Sequence, residues 1–275
     1  MIRINLFSAD KPQNTLNFKP MKTILEQIAD SKREEIAALK RRYSLSDFET
    51  MDAFQLPTRS LLDALKQSQF SIIAEFKRKS PSSGEINSKS SPIAQAQLYE
   101  TSEAAAISCL TDSPYFGGSL EDLLVIRENV SIPVLRKDFI LDEIQIFQAK
   151  AFGADAILLI SELLESEHAR QLTIIAQSLG MEVLMEAHDR KYLERINEFV
   201  DIIGINNRNL HLQKIDLNTS IQLADYLPRH KICISESGIK TAEDLVLLEN
   251  SGYRGALIGE SLMKANNSDL IYRSP

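Results

Sequence analysis

The chain predicts an α/β fold, a (β/α)8 TIM barrel with an N-terminal helical extension. Three observations carry that expectation. Eight short apolar runs recur along the chain, amphipathic stretches separate most of them, and most runs end abruptly in charged, amide or small polar residues. Runs that are apolar almost without interruption imply strands covered on both faces, as in a parallel sheet. A spacing of roughly 20 to 35 residues suits a strand with its crossover helix. Eight such units in about 200 residues fit a closed barrel. An open doubly wound sheet usually has fewer strands, and no G-x-G-x-x-G follows an early run, so a dinucleotide-binding version has no support.

Residues 1–20 are polar and aperiodic and read as a flexible tail, leaving 21–275 as a single barrel domain whose extension spans 21–68. From Met21 the spacing of Ile24, Leu25, Ile28, Ile36 and Leu39 predicts an amphipathic helix to about Arg42. A short element starts at Ser44, and LLDALKQS forms a second helix capped by Thr58 or Ser60. The strand runs are SIIAEF (71–76), AAISCL (105–110), IPVLR (132–136), DAILLI (155–160), EVLM (182–185), DIIGI (201–205), ICIS (232–235) and ALIG (256–259). The helical stretches between them include LEDLLVIREN, LDEIQIFQAKAFG, SEHARQLTIIAQSLG, RKYLERINEF and TAEDLVLLENSG, with Gly153, Gly180 and Gly252 where C-caps belong.

Composition narrows the function. The net charge of −7 comes from acidic and basic residues mixed along the chain, which disfavours nucleic acid and anionic membranes as partners. No apolar run approaches the roughly 20 residues needed to span a bilayer, and no secretory signal is evident, so the cytoplasm is the default location. The two cysteines, Cys109 and Cys233, sit in apolar runs and read as core residues. The four histidines have no metal-site spacing; His188 is a neighbour of the site at most, and the other three read as surface residues.

A barrel collects its chemistry where the strands end. The first run ends in Glu75, Lys77 and the loop Lys79-Ser80-Pro81-Ser82, the third in Arg136-Lys137-Asp138-Phe139, and the fifth in Glu186 followed by His188. The sixth gives Asn206-Asn207-Arg208-Asn209, the seventh Glu236-Ser237-Gly238 and the eighth Gly259-Glu260-Ser261. Alone, Glu75 and Lys77 read as a solvated strand end that points both side chains to one face. Lys, Arg, Glu and Asn at most of the ends instead point to a catalytic site, for acid–base chemistry or an anionic substrate. Ser237-Gly238 and Gly259-Glu260 lie where barrels build phosphate sites from backbone N–H groups, with the Glu260 side chain pointing outward. Asp112 and Asp138 read as supports for loops and neighbouring lysines, and Tyr115-Phe116 as a packed loop.

The stretches IAEFKRKSPSSG, ISCLTDSPYFGGS, VLRKDFILD, EVLMEAHD, IIGINNRNL, ISESGI and LIGESLM together resemble the indole-3-glycerol phosphate synthase family of tryptophan biosynthesis, from about Met21 to Asn267. The resemblance implies closure of the indole ring of 1-(2-carboxyphenylamino)-1-deoxyribulose 5-phosphate with loss of carbon dioxide and water, and no metal or organic cofactor. It places Lys137 as general acid, Glu75, Lys77 and Glu186 around the dehydration, and Asn206 as a substrate-orienting group. It places Ser80, Phe139 and Arg208 on the substrate, Arg208 near the carboxylate. Ser237, Gly238, Gly259 and Glu260 form the phosphate cradle, with Glu236 a secondary candidate. The implied partner is a small phosphorylated molecule, for a monomer or weak oligomer in contact with other tryptophan-pathway enzymes. Asn209 and Ser83 depart from the family's usual Asp and Lys, the second weakening the order of the first loop. Only twelve residues follow Met263, so the final helix is expected to be short or frayed. A related phosphoribosylanthranilate isomerase and a non-catalytic phosphate-binding barrel are the rival readings.

Overall fold

The structure, a computed structural model, describes residues 22–212 and 214–265. Eight strands run parallel and close on themselves: β1 (Ser71–Phe76), β2 (Ala106–Leu110), β3 (Val134–Lys137), β4 (Ala156–Ile160), β5 (Glu182–Ala187), β6 (Ile202–Asn206), β7 (Ile232–Glu236) and β8 (Gly255–Ile258). Each pairs with its sequence neighbours, and β8 returns to β1 with Ser71 opposite Gly255 and Ala74 opposite Ile258. Each run expected to be a strand is one, within two residues at either end.

Side chains alternate along a strand, which separates two cores. Ile73, Ala106, Leu135, Ala156, Leu158, Leu184, Ile202, Ile234 and Leu257 fill the barrel interior. Ile72, Ala74, Phe76, Ile107, Cys109, Ile157, Val183, Ile203 and Ala256 point outward to the helices. The period of two therefore carries the inward face from Ile73 to Glu75, from Leu135 to Lys137, from Leu184 to Glu186 and from Ile234 to Glu236. The strand-end residues face into the mouth for the same reason that their predecessors are apolar.

The N-terminal helices are part of this architecture rather than an addition to it. Helix α1 (Ile24–Arg42) is opened by a capping box in which Thr23 and Glu26 satisfy each other's backbone N–H groups. Leu25 and Ile28 of α1 join Phe139, Leu158 and Ile160 at the C-terminal mouth. Helix α2 (Leu45–Glu49) follows, and α3 (Leu61–Lys66) is capped by Ser60; Thr58 instead donates to the Gly180 carbonyl at 2.5 Å. Ser60 Oγ and the Leu62 N–H each bind the carboxylate of Glu182, the first residue of β5, at 2.7 Å. Leu61 and Leu65 are wholly buried against the interior, so α3 seals the opposite end of the barrel. Burying two leucines this way contributes roughly 1.5–3 kcal/mol each.

The outer helices are α4 (Pro92–Thr101), α5 (Ser113–Phe116), α6 (Leu120–Asn129), α7 (Glu143–Ala151), α8 (Ser166–Ser178), α9 (Arg190–Leu193), α10 (Asn218–Leu223), α11 (Ala242–Asn250) and α12 (Glu260–Ala265). RKYLERINEF keeps only the single turn of α9, whereas α4 arises from a stretch with weak helical period and α10 is only six residues long. Gly153, Gly180 and Gly252 have φ of +79°, +79° and +96° just past α7, α8 and α11, as helix exits require. The expected tail over 1–20 lies outside the described residues. Among those described, no helix is long and apolar enough to cross a membrane.

Candidate active site

Glu75, Lys137, Glu186 and Glu236 come from β1, β3, β5 and β7, the odd strands of the ring. Alternate strands contribute one layer of four side chains in a barrel, and here that layer is ionic instead of apolar. Lys137 reaches across the axis: its Nζ lies 2.6 Å from Glu236 Oε2, 3.5 Å from Glu75 Oε2 and 3.7 Å from Glu186 Oε2. Lys77, one position beyond β1, donates to Glu75 Oε1 at 2.5 Å. Asn206 Nδ2 donates to Glu186 Oε1 at 2.8 Å, and Asn206 Oδ1 accepts the Arg208 N–H at 2.9 Å.

This arrangement separates the proton affinities of like groups. Burial disfavours the Lys137 ammonium, but Glu236, Glu75 and Glu186 outweigh it and hold its pKa above the ordinary lysine value. Burial also works against the Glu75 carboxylate, and Lys77 and Lys137 reverse that, leaving its pKa lowered. At Glu186 burial prevails, reinforced by Glu236, and pushes the carboxyl up to about 8 against Lys137 and Asn206. One rim thus holds a firmly charged acid, a firmly charged carboxylate and a carboxyl poised near neutrality, the combination general acid–base catalysis needs.

The layer floors a cavity of about 600 Å³, and of the thirteen residues singled out from the sequence all but Glu236 line it. Glu236 lies fully buried beneath Lys137. Two glycines make room for the carboxylates. A Cβ on Gly204 would stand 2.2 Å from Glu236 Oε1, and one on Gly259 would stand 2.3 Å from Glu75 Oε1.

The two sides of the cavity differ. Beside β2, β3 and β4 it is walled by Phe139, Phe116, Leu158 and Ile160, the two rings 5.9 Å apart, with Ile24, Leu25 and Ile28 of α1 joining them. Beside β7 and β8 it is walled by Ser237, Gly238, Gly259, Glu260 and Ser261. Ser237 and Gly238 both adopt positive φ, +68° and +80°, a turn that exposes backbone N–H groups. Asn207 braces this turn: its Nδ2 donates to the Ser237 carbonyl at 3.0 Å and to Ser235 Oγ at 2.9 Å, while its Oδ1 accepts from Ser220.

The first loop folds over the mouth as a small hairpin, Lys79–Ser80 against Gly84–Glu85. Arg208 Nη1 donates to Ser82 Oγ at 2.6 Å, and Ser83 Oγ donates to Glu260 Oε2 at 2.9 Å. Glu260 therefore lines the cavity and grips the loop, contrary to an outward-pointing side chain, and Ser83 supplies a tie where loosening was expected. Phe116 walls the cavity, which corrects its reading as part of a merely packed loop. His188 is buried beside the site; its ring and backbone N–H both meet Glu162 Oε1, and its ring lies 5.8 Å from that of the half-buried His211. Asp112 and Asp138 do support a lysine, but it is Lys32 from α1. Ile24, Leu25, Ile28 and Lys32 escaped the sequence reading because helix period says which face is buried, not against what. Among the described residues, no group of three His, Cys, Asp or Glu side chains is arranged to hold a metal ion.

Fold and site define a TIM-barrel enzyme that moves protons on an anionic substrate. The sequence model of the indole-3-glycerol phosphate synthase family matches residues 25–274. An indole-3-glycerol phosphate synthase of Bacteroides thetaiotaomicron is 44% identical over 244 residues, covering 89% of this chain and 94% of that one. One of Hyphomonas neptunium is 45% identical over 253 residues, covering 90% and 96%. The chain belongs to the indole-3-glycerol phosphate synthase family, and is accordingly a carbon–carbon lyase of tryptophan biosynthesis. Two solved barrels from Pyrococcus furiosus share the fold alone. N-(5'-phosphoribosyl)anthranilate isomerase gives a TM-score of 0.54 at 15% identity, covering 74% of this chain and 96% of that one. A mutant tryptophan synthase alpha-subunit gives 0.54 at 17%, covering 74% and 94%.

Proposed function

We propose that Lys137 is the general acid that drives closure of the indole ring of 1-(2-carboxyphenylamino)-1-deoxyribulose 5-phosphate. The observation that carries this is the Lys137 ammonium on the barrel axis, charged by three carboxylates from three other strands. When the ring carbon attacks the ketone, the carbonyl oxygen gains negative charge and needs a proton. A buried cation aimed at that oxygen stabilises the charge as it develops and then supplies the proton. Loss of carbon dioxide leaves a hydroxyl to be expelled. Lys77, held by Glu75, protonates that hydroxyl so that it leaves as water, and Glu186, its affinity being nearest neutrality, takes the proton lost from the adjacent ring carbon.

The two-sided cavity orients the substrate. The carboxyphenyl ring lies against Phe139 and Phe116, while the phosphate, across the axis, meets the backbone N–H groups of Ser237, Gly238, Gly259 and Glu260. Arg208 holds the ring carboxylate with its planar fork. Asn206 orients both Glu186 and Arg208, and Ser80 closes the site from the first loop. Glu236 keeps Lys137 extended. The direct test supplies the substrate to purified protein and follows indole fluorescence; turnover is expected, and no signal from folded protein overturns the proposal.

A further inference from the structure

One buried ammonium of the N-terminal helix is tied to three walls of the apolar side of the cavity. Lys32 is 2% exposed, and its Nζ lies 2.9 Å from Asp138 Oδ1, 3.1 Å from Asp112 Oδ2 and 2.9 Å from Glu35 Oε2. Asp138 Oδ1 also accepts the backbone N–H of Phe139 at 2.8 Å. Its Oδ2 receives Thr111 Oγ1 at 2.6 Å and Arg136 Nη2 at 3.0 Å, which fixes the carboxylate plane. Asp112 Oδ1 caps α5 through the Tyr115 N–H at 2.8 Å, and α5 ends on Phe116. Ile24 and Ile28, eight and four residues before Lys32, belong to the same helix stripe and face the cavity.

A buried ammonium is costly unless its partners are well placed, and an apolar residue serves better where only adhesion is needed. Lys32 therefore calls for an explanation beyond gluing α1 to the barrel. Its two barrel partners are the carboxylates that hold Phe139 and Phe116, and its own helix carries the third wall. Burial opposes the Lys32 charge while Asp138 and Asp112 outweigh it, so the ammonium stays charged and the lock stays closed at neutral pH.

We propose that Lys32 is a positioning residue for the aromatic half of the substrate, one ammonium that sets Phe139, Phe116 and helix α1 at the spacing of a planar ring. The proposal rests on placing the carboxyphenyl group on that side of the cavity. It predicts that removing the ammonium loosens recognition of the ring while the phosphate turn, on the other side of the barrel axis, is untouched.

The experiment compares wild type, Lys32→Met and Lys32→Arg in three measurements: KM and kcat with the carboxyphenylamino substrate, anthranilate binding followed by its own fluorescence, and inhibition by inorganic phosphate. Lys32→Met is expected to raise KM and weaken anthranilate binding by about 10- to 100-fold, as small misplacements of binding groups do. Phosphate inhibition is expected to hold, and Lys32→Arg to recover most of the loss. Equal weakening of anthranilate and phosphate, or anthranilate binding unchanged in folded Lys32→Met, overturns the proposal. Should Lys32→Met not fold, Lys32→Met/Asp112→Asn takes its place, since it removes one of the stranded charges and an asparagine still caps α5. A wild type that binds anthranilate but does not turn over strikes the reaction assignment alone, and Lys32 is then judged on binding.

Discussion

Gly259 and Glu75 occupy one another's space: a Cβ on Gly259 would stand 2.3 Å from Glu75 Oε1 and 3.0 Å from Glu75 Cβ. The glycine at the end of β8 is thus a condition for the carboxylate at the end of β1, beyond any service to a phosphate. Gly259→Ala is expected to push Glu75 away from Lys77 and Lys137 and lower kcat by about 10- to 100-fold. Its φ is not in the left-handed region, so the backbone accepts alanine and the protein is expected to fold. Turnover at the wild-type rate in folded Gly259→Ala would remove Glu75 from the reacting layer.

Lys137 and Glu236 meet at 2.6 Å from opposite sides of the ring. Lys137→Ala is expected to remove about 10²–10⁴-fold from kcat, the usual worth of a positioned general acid, while inhibition by inorganic phosphate is unchanged. Glu236→Gln keeps the shape but takes away the nearest negative charge, so the Lys137 pKa falls towards its ordinary value. The alkaline limb of the rate profile is then expected to shift to lower pH, and a limb that stays in place assigns it to another group.

The strands were legible because barrel strands are buried on both faces and so read as unbroken apolar runs. The site was legible because the inward parity of Ile73, Leu135, Leu184 and Ile234 continues unchanged to Glu75, Lys137, Glu186 and Glu236. Helix period predicted α1 and its apolar stripe but could not say that the stripe ends at a cavity, which depends on contacts more than a hundred residues away. Phe116 and Glu260 likewise depend on partners on other elements, Phe139 on the next strand's loop and Ser83 177 residues away. α4 was missed because it has little amphipathic period of its own, and α10 because its six residues are too few to show one.

Glu186 links pH to stability. Between its ordinary value of 4.5 and about 8, the folded protein keeps a proton on Glu186 that the unfolded chain has released, so stability falls as pH rises through that window. Glu75 acts in the opposite sense, since its lowered pKa gives stability that is lost as pH falls below the ordinary carboxylate value. Glu186→Gln keeps an oxygen for Asn206 and carries no charge. It is expected to lie close to wild type near pH 5 and to be more stable by roughly 4–5 kcal/mol near pH 8.5, the span from 4.5 to about 8 at about 1.4 kcal/mol per pK unit. Urea unfolding at both pH values checks this, and equal differences at the two would mean that Glu186 ionises normally.

Asp155 anchors the far end of the barrel, away from the chemistry. Its Oδ1 accepts the Arg59 N–H at 2.8 Å and Arg127 Nε at 3.2 Å, and its Oδ2 accepts the Val134 N–H at 2.8 Å. Arg127 Nη2 in turn donates to the Pro57 carbonyl at 3.1 Å, and Lys150 Nζ to the Leu56 carbonyl at 2.8 Å, so the segment leading into α3 hangs on this cluster. Burial raises the Asp155 pKa despite these donors. Asp155→Ala strands two backbone donors and the Arg127 guanidinium, and is expected to cost about 3–5 kcal/mol, as loss of one partner of a buried ion pair does. Urea unfolding is expected to show that loss while kcat per folded molecule remains at the wild-type value. A drop in kcat at full folding would mean that the α3 plug is coupled through the barrel interior to the layer of Glu75, Lys137, Glu186 and Glu236.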